Sequence, residues 1–241
     1  MNAWDYDLAL GVHYSFEKAL IANLQKYIAD LQLLPEDFDM SVIKELVRKY
    51  RTAPDEPIHY AEHPTDELRD VLTRVVGDCQ DLSEYGICIL ANSEDMIIQQ
   101  SIDDTIEETY QAMEAAIHNL NTLHSRAGSQ VPFSSINFGT DTSDAGRLII
   151  RKTLEAVDAG MGNGETAIFP ISIFKVYDGI NFKPGDPNYD LYRYAMEVTA
   201  RRLFPNFVFG DAPFNYQYYK PGHPETEIVA MGQQLSTLRP M

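Results

Sequence analysis

The chain is short of basic residues, of cysteine and of long apolar runs, and each shortage excludes a class of protein. Only 19 of its 241 residues are Lys or Arg against 36 Asp or Glu, which gives a formal net charge of -17. Such a surface repels phosphate backbones, so general nucleic-acid binding is not expected. No apolar stretch approaches the roughly 18 residues of a membrane-spanning helix. The first residues also lack the basic and apolar regions of a signal peptide.

The two cysteines, Cys79 and Cys88, are too few for a disulfide framework. Their spacing matches no common zinc motif, and neither has a histidine nearby in the sequence to activate it as a nucleophile. His118 and His124 lie on different faces of a helix, which excludes an i, i+4 metal pair. The sequence therefore predicts no metal site, and it predicts a soluble cytoplasmic protein.

The composition is that of an ordinary globular protein, with 44% hydrophobic and 11% aromatic residues. Residues 1–100 are predicted to be mostly helical. Apolar residues recur at helical spacing over Val12–Leu31, and Pro35 is expected to close that helix. Shorter helices are predicted to begin at Ser41 and Thr65, two residues suited to an N-cap.

Residues 101–210 alternate between helix and strand patterns, within a predicted α/β segment of residues 101–232, whereas the apolar run 85–90 fits either. Ser101 and Asp104 have the spacing of a capping box and predict that a helix begins there. Strands are predicted at 131–138, 167–176 and 206–209, separated by helices at 144–158 and, after an Asp186-Pro187 start signal, up to 203. The alternation is typical of an α/β unit with parallel strands.

The glycine-rich segment 160–164 invites comparison with a phosphate-binding loop. It lacks the Lys-Ser/Thr ending of a P-loop, and it follows a helix and precedes a strand, the reverse of the dinucleotide-binding order. A helix-to-strand turn is the better interpretation.

The densest polar cluster, His124–Gln130, lies between the end of a predicted helix and a predicted strand and is followed by Ser134, Ser135 and Asn137. Arg126, the serine hydroxyls and the Gly128 backbone could hold a nucleotide or a phosphate. Alternatively, Gly128 could end the preceding helix in the left-handed conformation, with the serines forming a turn. The residues themselves leave both interpretations open.

Several long stretches carry a specific resemblance. The stretch 109–143 includes SRAGSQVPFSSINFGTDTS, and 159–170 reads AGMGNGETAIFP. Together with 185–191, 200–207 and 211–219, these stretches resemble the anaerobic, glycyl-radical (class III) ribonucleoside-triphosphate reductases. Residues 5–20 resemble the same family more loosely.

The resemblance implies a helical N-terminal part followed by the first half of a ten-stranded α/β barrel. It also implies an allosteric, homodimeric enzyme that reduces ribonucleoside triphosphates to deoxyribonucleotides under the control of ATP and deoxynucleotide effectors. In this family a radical-SAM activating enzyme generates a glycyl radical, which passes to a cysteine inside the barrel. A structural zinc lies near the C-terminus.

By the same resemblance, two groups of residues are candidate site residues. The substrate and effector loop comprises Ser125, Arg126, Ala127, Gly128, Ser129 and Gln130. The barrel strand lining comprises Ser134, Ser135 and Asn137.

The chain departs from the family after the stretch that ends at Tyr219. The family continues into Met-Gly-Cys-Arg, whereas here Met231-Gly232 is followed by two glutamines, and residues 233–241 form a tail unlike the family. The second half-barrel, the zinc-binding cysteines and the glycyl-radical segment are not found. We therefore expect an internal piece of the reductase, from a split, truncated or frameshifted gene, with no catalytic residue and no activity of its own. A noncatalytic nucleotide-binding or assembly module, or a decayed fragment, is the alternative.

Overall fold

A computed structural model describes residues 3–30, 84–122, 132–162, 165–216, 220, 223, 226–231 and 234–236. The chain divides into two compact units, one of residues 1–10 and 109–241 and one of residues 11–108. The described residues form helices, a three-stranded parallel sheet and a two-stranded antiparallel hairpin. This arrangement confirms the predicted α/β class.

Two long helices account for most of the described residues in the first half of the chain. Helix α1 spans Trp4–Asp30 and helix α2 spans Glu84–Thr122. The helix predicted over Val12–Leu31 is confirmed and begins earlier than expected, and the ambiguous run 85–90 is helical. The predicted stop at Pro35 and the predicted starts at Ser41 and Thr65 lie outside the described residues. No described helix has an apolar window long enough to cross a membrane.

The helix start predicted at Ser101 is wrong, because α2 runs through this position without a break. Ser101 is buried, and its hydroxyl donates to the Ile97 carbonyl one turn back at 2.7 Å. The Thr105 hydroxyl donates to the Ser101 carbonyl in the same way at 2.6 Å. A hydroxyl bonded to the previous turn no longer competes for the helix backbone, so the local pattern of a cap occurs inside a continuous helix.

The unit of residues 11–108 packs α1 against α2. The Asn23 amide donates to the Asp104 carboxylate at 2.8 Å and to the Ser101 hydroxyl at 3.2 Å. Lys18 pairs with Glu108 at 2.7 Å on the surface, and this hydrogen bond lowers the pKa of Glu108. Among the described residues of this unit, the buried apolar side chains are Val12, Leu20, Leu24, Ile97 and Ile98.

The second unit is built on a parallel sheet with the strand order β1-β2-β3. Its strands are β1 (Ser135–Phe138), β2 (Ile171–Val176) and β3 (Asn206–Phe209), linked by helices α3 (Asp144–Ala159) and α4 (Tyr189–Arg202). The predicted alternation is confirmed, although β1 and β2 begin later than expected. Pro170 has no N–H to donate to a neighbouring strand, and β2 begins at the next residue.

Both ends of α3 follow their local signals. The Ser143 hydroxyl accepts a hydrogen bond from the Gly146 N–H at 3.1 Å and caps the helix. At the other end Gly160 has φ 70° and donates its N–H to the Ala156 carbonyl. The left-handed region favours glycine here. The interpretation of this segment as a turn fits the described residues.

The helix start predicted at Asp186-Pro187 is wrong by two residues, because α4 begins at Tyr189 with Asn188 as its N-cap. The Asp186 carboxylate instead accepts from the Lys183 N–H at 2.8 Å. The Asn188 side chain makes no capping bond, since its Oδ1 accepts from the Arg147 guanidinium at 2.7 Å while its Nδ2 donates to the Asp141 carbonyl at 2.8 Å. A long-range contact therefore takes the side chain that would otherwise cap the helix.

One face of the sheet packs aromatic rings against α4. The Phe138 and Phe174 ring centroids lie 5.7 Å apart, and those of Phe174 and Phe207 lie 5.9 Å apart. Tyr192 of α4 packs edge-on against Phe207 at 5.8 Å. This layer of rings buries the face of the sheet that α4 covers.

The described residues that follow β3 are a short helix and a hairpin. Helix α5 spans Pro213–Tyr216, and strands β4 (Val229–Met231) and β5 (Gln234–Ser236) pair antiparallel.

Candidate functional site

Buried polar side chains gather at the carboxyl ends of β1 and β2. Ligands of open parallel α/β sheets bind outside these strand ends, so this edge is where a site is sought first. We define the carboxyl-edge cluster as Asp5, Thr140, Asp141, Lys175, Asn181, Asn188 and Glu227, all of them buried.

An ion pair between Lys175 and Glu227 lies at the centre of the cluster. The two side chains are only 1% and 3% exposed, and the ammonium donates to Glu227 Oε2. The Thr140 hydroxyl donates to the same oxygen at 2.7 Å. Burial raises the pKa of Glu227, although the charge and hydrogen bond of Lys175 oppose the rise. The pair is therefore a closely held salt bridge that joins β2 to the segment ahead of β4.

Asp5 reaches the cluster from the first turn of α1. Its Oδ2 accepts hydrogen bonds from the consecutive N–H groups of Gly139, Thr140 and Asp141 at 2.9, 3.0 and 3.0 Å. Three such amides form a concave anion-binding site, and the carboxylate of Asp5 fills it. Within the described residues, the buried Oδ1 of Asp5 has no hydrogen-bond partner.

The cluster is acidic because it holds three carboxyl groups and one ammonium. Burial raises the pKa of Asp141, against an opposing hydrogen bond from the Ser143 N–H at 2.9 Å. Burial, helped by the negative charges of Glu227, Asp141 and Asp5, also raises the pKa of Tyr6, which donates to the Thr140 carbonyl at 3.2 Å. A phosphate is disfavoured beside such a cluster. The cluster instead holds the neighbouring loops through hydrogen bonds. Its carboxyl groups with a raised pKa can also keep a proton.

The side-chain amides of Asn181 and Asn188 join the loops that follow β1 and β2. Asn181 Nδ2 donates to the carbonyls of Gly139 and Lys175, both at 2.8 Å, and its Oδ1 accepts from the Tyr177 N–H at 2.9 Å. Gly139 has φ 121°, and a Cβ there would lie 3.0 Å from the Lys175 carbonyl oxygen. A glycine is therefore required where these two loops meet.

The predicted lining residues lie in or beside β1. Asn137 is buried, and its side-chain amide bonds to Ala230, with Nδ2 donating to the carbonyl at 3.1 Å and Oδ1 accepting from the N–H at 3.0 Å. Ser135 is half-buried in β1. The hydroxyl of Ser134 is buried without a hydrogen-bond partner in the described part of the chain. Whether any of the three lines a substrate site stays a prediction.

The predicted effector loop, Ser125–Gln130, lies outside the described residues. The structure therefore neither brings it to the carboxyl-edge cluster nor separates it from the cluster, and its assignment stays a prediction. Among the described residues, no group of three or more His, Cys, Asp or Glu side chains could hold a metal ion.

Sequence reasoning did not single out Asp5, Lys175 or Glu227. One signal was available for Lys175, since it is the only charged residue in the apolar run 167–176. A charge in a strand that is otherwise buried on both faces requires a partner. The partner, Glu227, is 52 residues away, and no local pattern indicates it.

Comparison with known proteins gives one consistent family. The family model described as anaerobic ribonucleoside-triphosphate reductase matches residues 1–238. The protein of that name from Escherichia coli (strain K12) is 42% identical over 105 residues, which are 43% of this chain and 15% of that protein. The namesakes from Haemophilus influenzae and from Enterobacteria phage T4 are 36% and 37% identical, over 42% and 43% of this chain and 14% and 17% of their own lengths. The matched stretch is thus a small part of each relative.

Proposed function

Because the chain belongs to the family of anaerobic ribonucleoside-triphosphate reductases, we propose that it is an internal segment of such an enzyme. The reaction is the reduction of ribonucleoside triphosphates to deoxyribonucleotides by radical chemistry. The observation that carries the proposal is the match of the family model over residues 1–238. The relatives extend well beyond the matched stretch, so the proposal assigns the remaining steps to other portions of the reductase.

The fold supports a finer assignment of the second unit to the first half of the ten-stranded barrel. Its three strands are parallel, and the ring layer covers one face of the sheet. The opposite face carries Asn137 and Lys175, since Lys175 is two residues beyond Ile173, the register partner of Asn137. A polar inner face backed by helices is what a barrel with an internal site requires.

We assign substrate and effector recognition to Ser125–Gln130. This segment connects α2 to the strand that begins the sheet, and Arg126 can offer a planar fork of donors to a phosphate or a flat face to a base. The partners are ribonucleoside triphosphates, deoxynucleotide effectors, the remaining portions of the reductase, a second copy in a homodimer and a radical-SAM activating enzyme in the cytoplasm. The glycyl radical and the structural zinc belong to those other portions.

The 241-residue polypeptide alone has no reductase activity in this proposal. Its two cysteines, Cys79 and Cys88, come far ahead of Met231-Gly232 in the sequence, and two glutamines follow that pair. An anaerobic assay with activating enzyme, reductant and ribonucleoside triphosphates tests this directly. We expect no deoxynucleotide, and its production by this chain alone would overturn the proposal of inactivity.

Gln233, at the position where by the resemblance the family has a cysteine, also favours a second candidate, a noncatalytic nucleotide-binding or assembly module. Calorimetric titration of the isolated chain with deoxynucleoside triphosphates separates the two candidates. Binding by the isolated chain, combined with no gain of activity when the remaining portions are added, would favour the module. Deoxynucleotide synthesis on adding those portions would favour the enzyme segment.

A further inference from the structure

Asn137 acts on the backbone of Ala230 as a neighbouring strand would. Its carboxamide accepts from the Ala230 N–H at 3.0 Å and donates to the Ala230 carbonyl at 3.1 Å, across 93 residues of sequence. Both residues are buried, at 0% and 4% exposure. A carboxamide carries a donor and an acceptor side by side, and it can therefore satisfy both backbone groups of one residue.

The hairpin geometry agrees with this contact. Ala230 lies opposite Leu235 in the antiparallel pair of β4 and β5. Residues of such a pair alternate between positions whose backbone groups bond across the pair and positions whose groups point away. Since both backbone groups of Ala230 bond to Asn137, Ala230 is a position of the second kind. Asn137 thus attaches the hairpin to β1.

Three further contacts hold the same segment to the sheet, one of them the hydrogen bond from the Thr140 hydroxyl to Glu227 at 2.7 Å. Glu227 pairs with Lys175 of β2, and the Ile228 N–H donates to the Tyr177 hydroxyl at 3.3 Å. The segment 227–230 is therefore held at three of its four residues by side chains from β1, from β2 and from the residues that follow these strands. Of these contacts, only that of Asn137 fixes both the N–H and the carbonyl of one residue, so it determines the register of the segment along the sheet.

We propose that Asn137 is a positioning residue, which fixes the backbone of the chain directly ahead of Met231-Gly232. The proposal rests on the proposed function, because by the resemblance the family carries its radical cysteine immediately after this Met-Gly pair, at the position that Gln233 occupies here. In a relative that carries this cysteine, hydrogen transfer depends on its placement to within about 1 Å, and an error of that size can cost about a hundredfold in rate. A double hydrogen bond from a buried side chain supplies such placement.

The chemistry of the contact provides its own test. An ionised aspartate at position 137 could accept from the Ala230 N–H but could not donate to its carbonyl. A protonated aspartic acid has both a donor and an acceptor, like asparagine. A buried carboxyl group has a raised pKa. At high pH, Asn137→Asp loses the bond to the Ala230 carbonyl and sets a carboxylate oxygen against that carbonyl, and this repulsion should open the contact. At low pH both bonds should return, whereas Asn137→Ala should lack them throughout.

The measurement is the amide hydrogen-exchange protection factor of Ala230 in the 241-residue chain, from about pH 5 to about pH 8. The Phe174 amide in the centre of β2 serves as the reference for global opening. In Asn137→Ala we expect Ala230 to lose at least about tenfold in protection relative to Phe174 at every pH, which is about 1.4 kcal/mol. In Asn137→Asp the same loss should appear near pH 8 and most of the protection should return near pH 5.

Asn121→Ala is the matched control. Asn121 also bonds to backbone, its Oδ1 accepting from the Phe169 N–H at 3.0 Å, but it does not contact Ala230. This variant should leave the ratio of the Ala230 and Phe174 protection factors unchanged. Equal loss in Asn137→Asp at all pH values, or no loss in Asn137→Ala, would overturn the proposal. The Ala230 protection of Asn137→Asp could recover at low pH while the chain supports no deoxynucleotide synthesis even with the remaining portions of the reductase added. That result would keep the anchoring by Asn137 and refute only the reductase assignment.

Discussion

Replacing Lys175 by methionine removes the only ammonium of the carboxyl-edge cluster and leaves the carboxylate of Glu227 buried without its cation. Glu227 is 3% exposed in its side chain, so water cannot take over the role of Lys175. Removal of one partner of a buried ion pair costs about 3–5 kcal/mol. The Thr140 hydroxyl still donates to Glu227 at 2.7 Å, so we expect a loss near about 3 kcal/mol at neutral pH.

The pH dependence of this loss follows from the pKa of Glu227. Burial already raises it, and loss of Lys175 raises it further. Between the pKa values of the unfolded and folded states the native chain binds more protons, so stability falls as pH rises through that window. The deficit of Lys175→Met should therefore be largest at neutral pH and should shrink toward about pH 5 as Glu227 becomes protonated.

Urea unfolding followed by tryptophan fluorescence measures the effect. Trp4 is the single tryptophan of the chain, is 8% exposed and donates its indole N–H to Thr153 within the same compact unit. Lys152→Met is the matched control, because Lys152 pairs with Glu155 on a more exposed site and should cost less than about 1 kcal/mol. A double variant, Lys175→Met with Glu227→Gln, should recover most of the loss. Equal losses in Lys175→Met and Lys152→Met, or a deficit independent of pH, would refute the reasoning.

Three further predictions concern other positions. Asp5→Ala leaves three N–H groups without their acceptor and should lower the unfolding free energy by about 3 kcal/mol or more, whereas Asp5→Asn, which keeps an acceptor oxygen, should cost clearly less in the same urea assay. Gly146→Ala puts a Cβ 2.1 Å from Asp141 Oδ2 and should destabilise the chain by about 1–3 kcal/mol; a stabilised variant, as for an ordinary helix position, would contradict this. Arg126→Ala should weaken deoxynucleotide binding in calorimetric titration by about ten- to a hundredfold with an unchanged melting temperature; a lower melting temperature with unchanged binding would instead indicate a helix-stop role.

Elements with complete local signals could be predicted from the sequence. Helix α3 has a capping serine at Ser143 and a terminating glycine at Gly160, and both act as the pattern indicates. Ser101 and Asp186 carry similar local signals, yet neither begins a helix. The Ser101 hydroxyl is satisfied within α2, and the Asp186 carboxylate is satisfied within its own loop. A cap pattern indicates that a side chain can form a capping hydrogen bond. Competing contacts in the folded chain determine whether that bond forms.

The carboxyl-edge cluster could not be predicted in the same way, because its contacts join distant parts of the chain. Asp5 binds amides 134 to 136 residues away, and Asn137 binds a backbone 93 residues away. Asn137 was predicted to line a site by resemblance alone. The residue type alone does not show that its carboxamide bonds to Ala230.

The central claim, that this chain is a segment of an anaerobic ribonucleotide reductase, is tested most directly by a hybrid enzyme. The 105-residue matched stretch of the Escherichia coli protein is replaced by that of this chain, and anaerobic deoxynucleotide synthesis is measured after activation. Circular dichroism and gel filtration verify that the hybrid folds and has the size of the parent. We expect synthesis within about tenfold of the parent, a change in barrier of about 1.4 kcal/mol. A folded hybrid of the parent's size that makes no deoxynucleotide would contradict it.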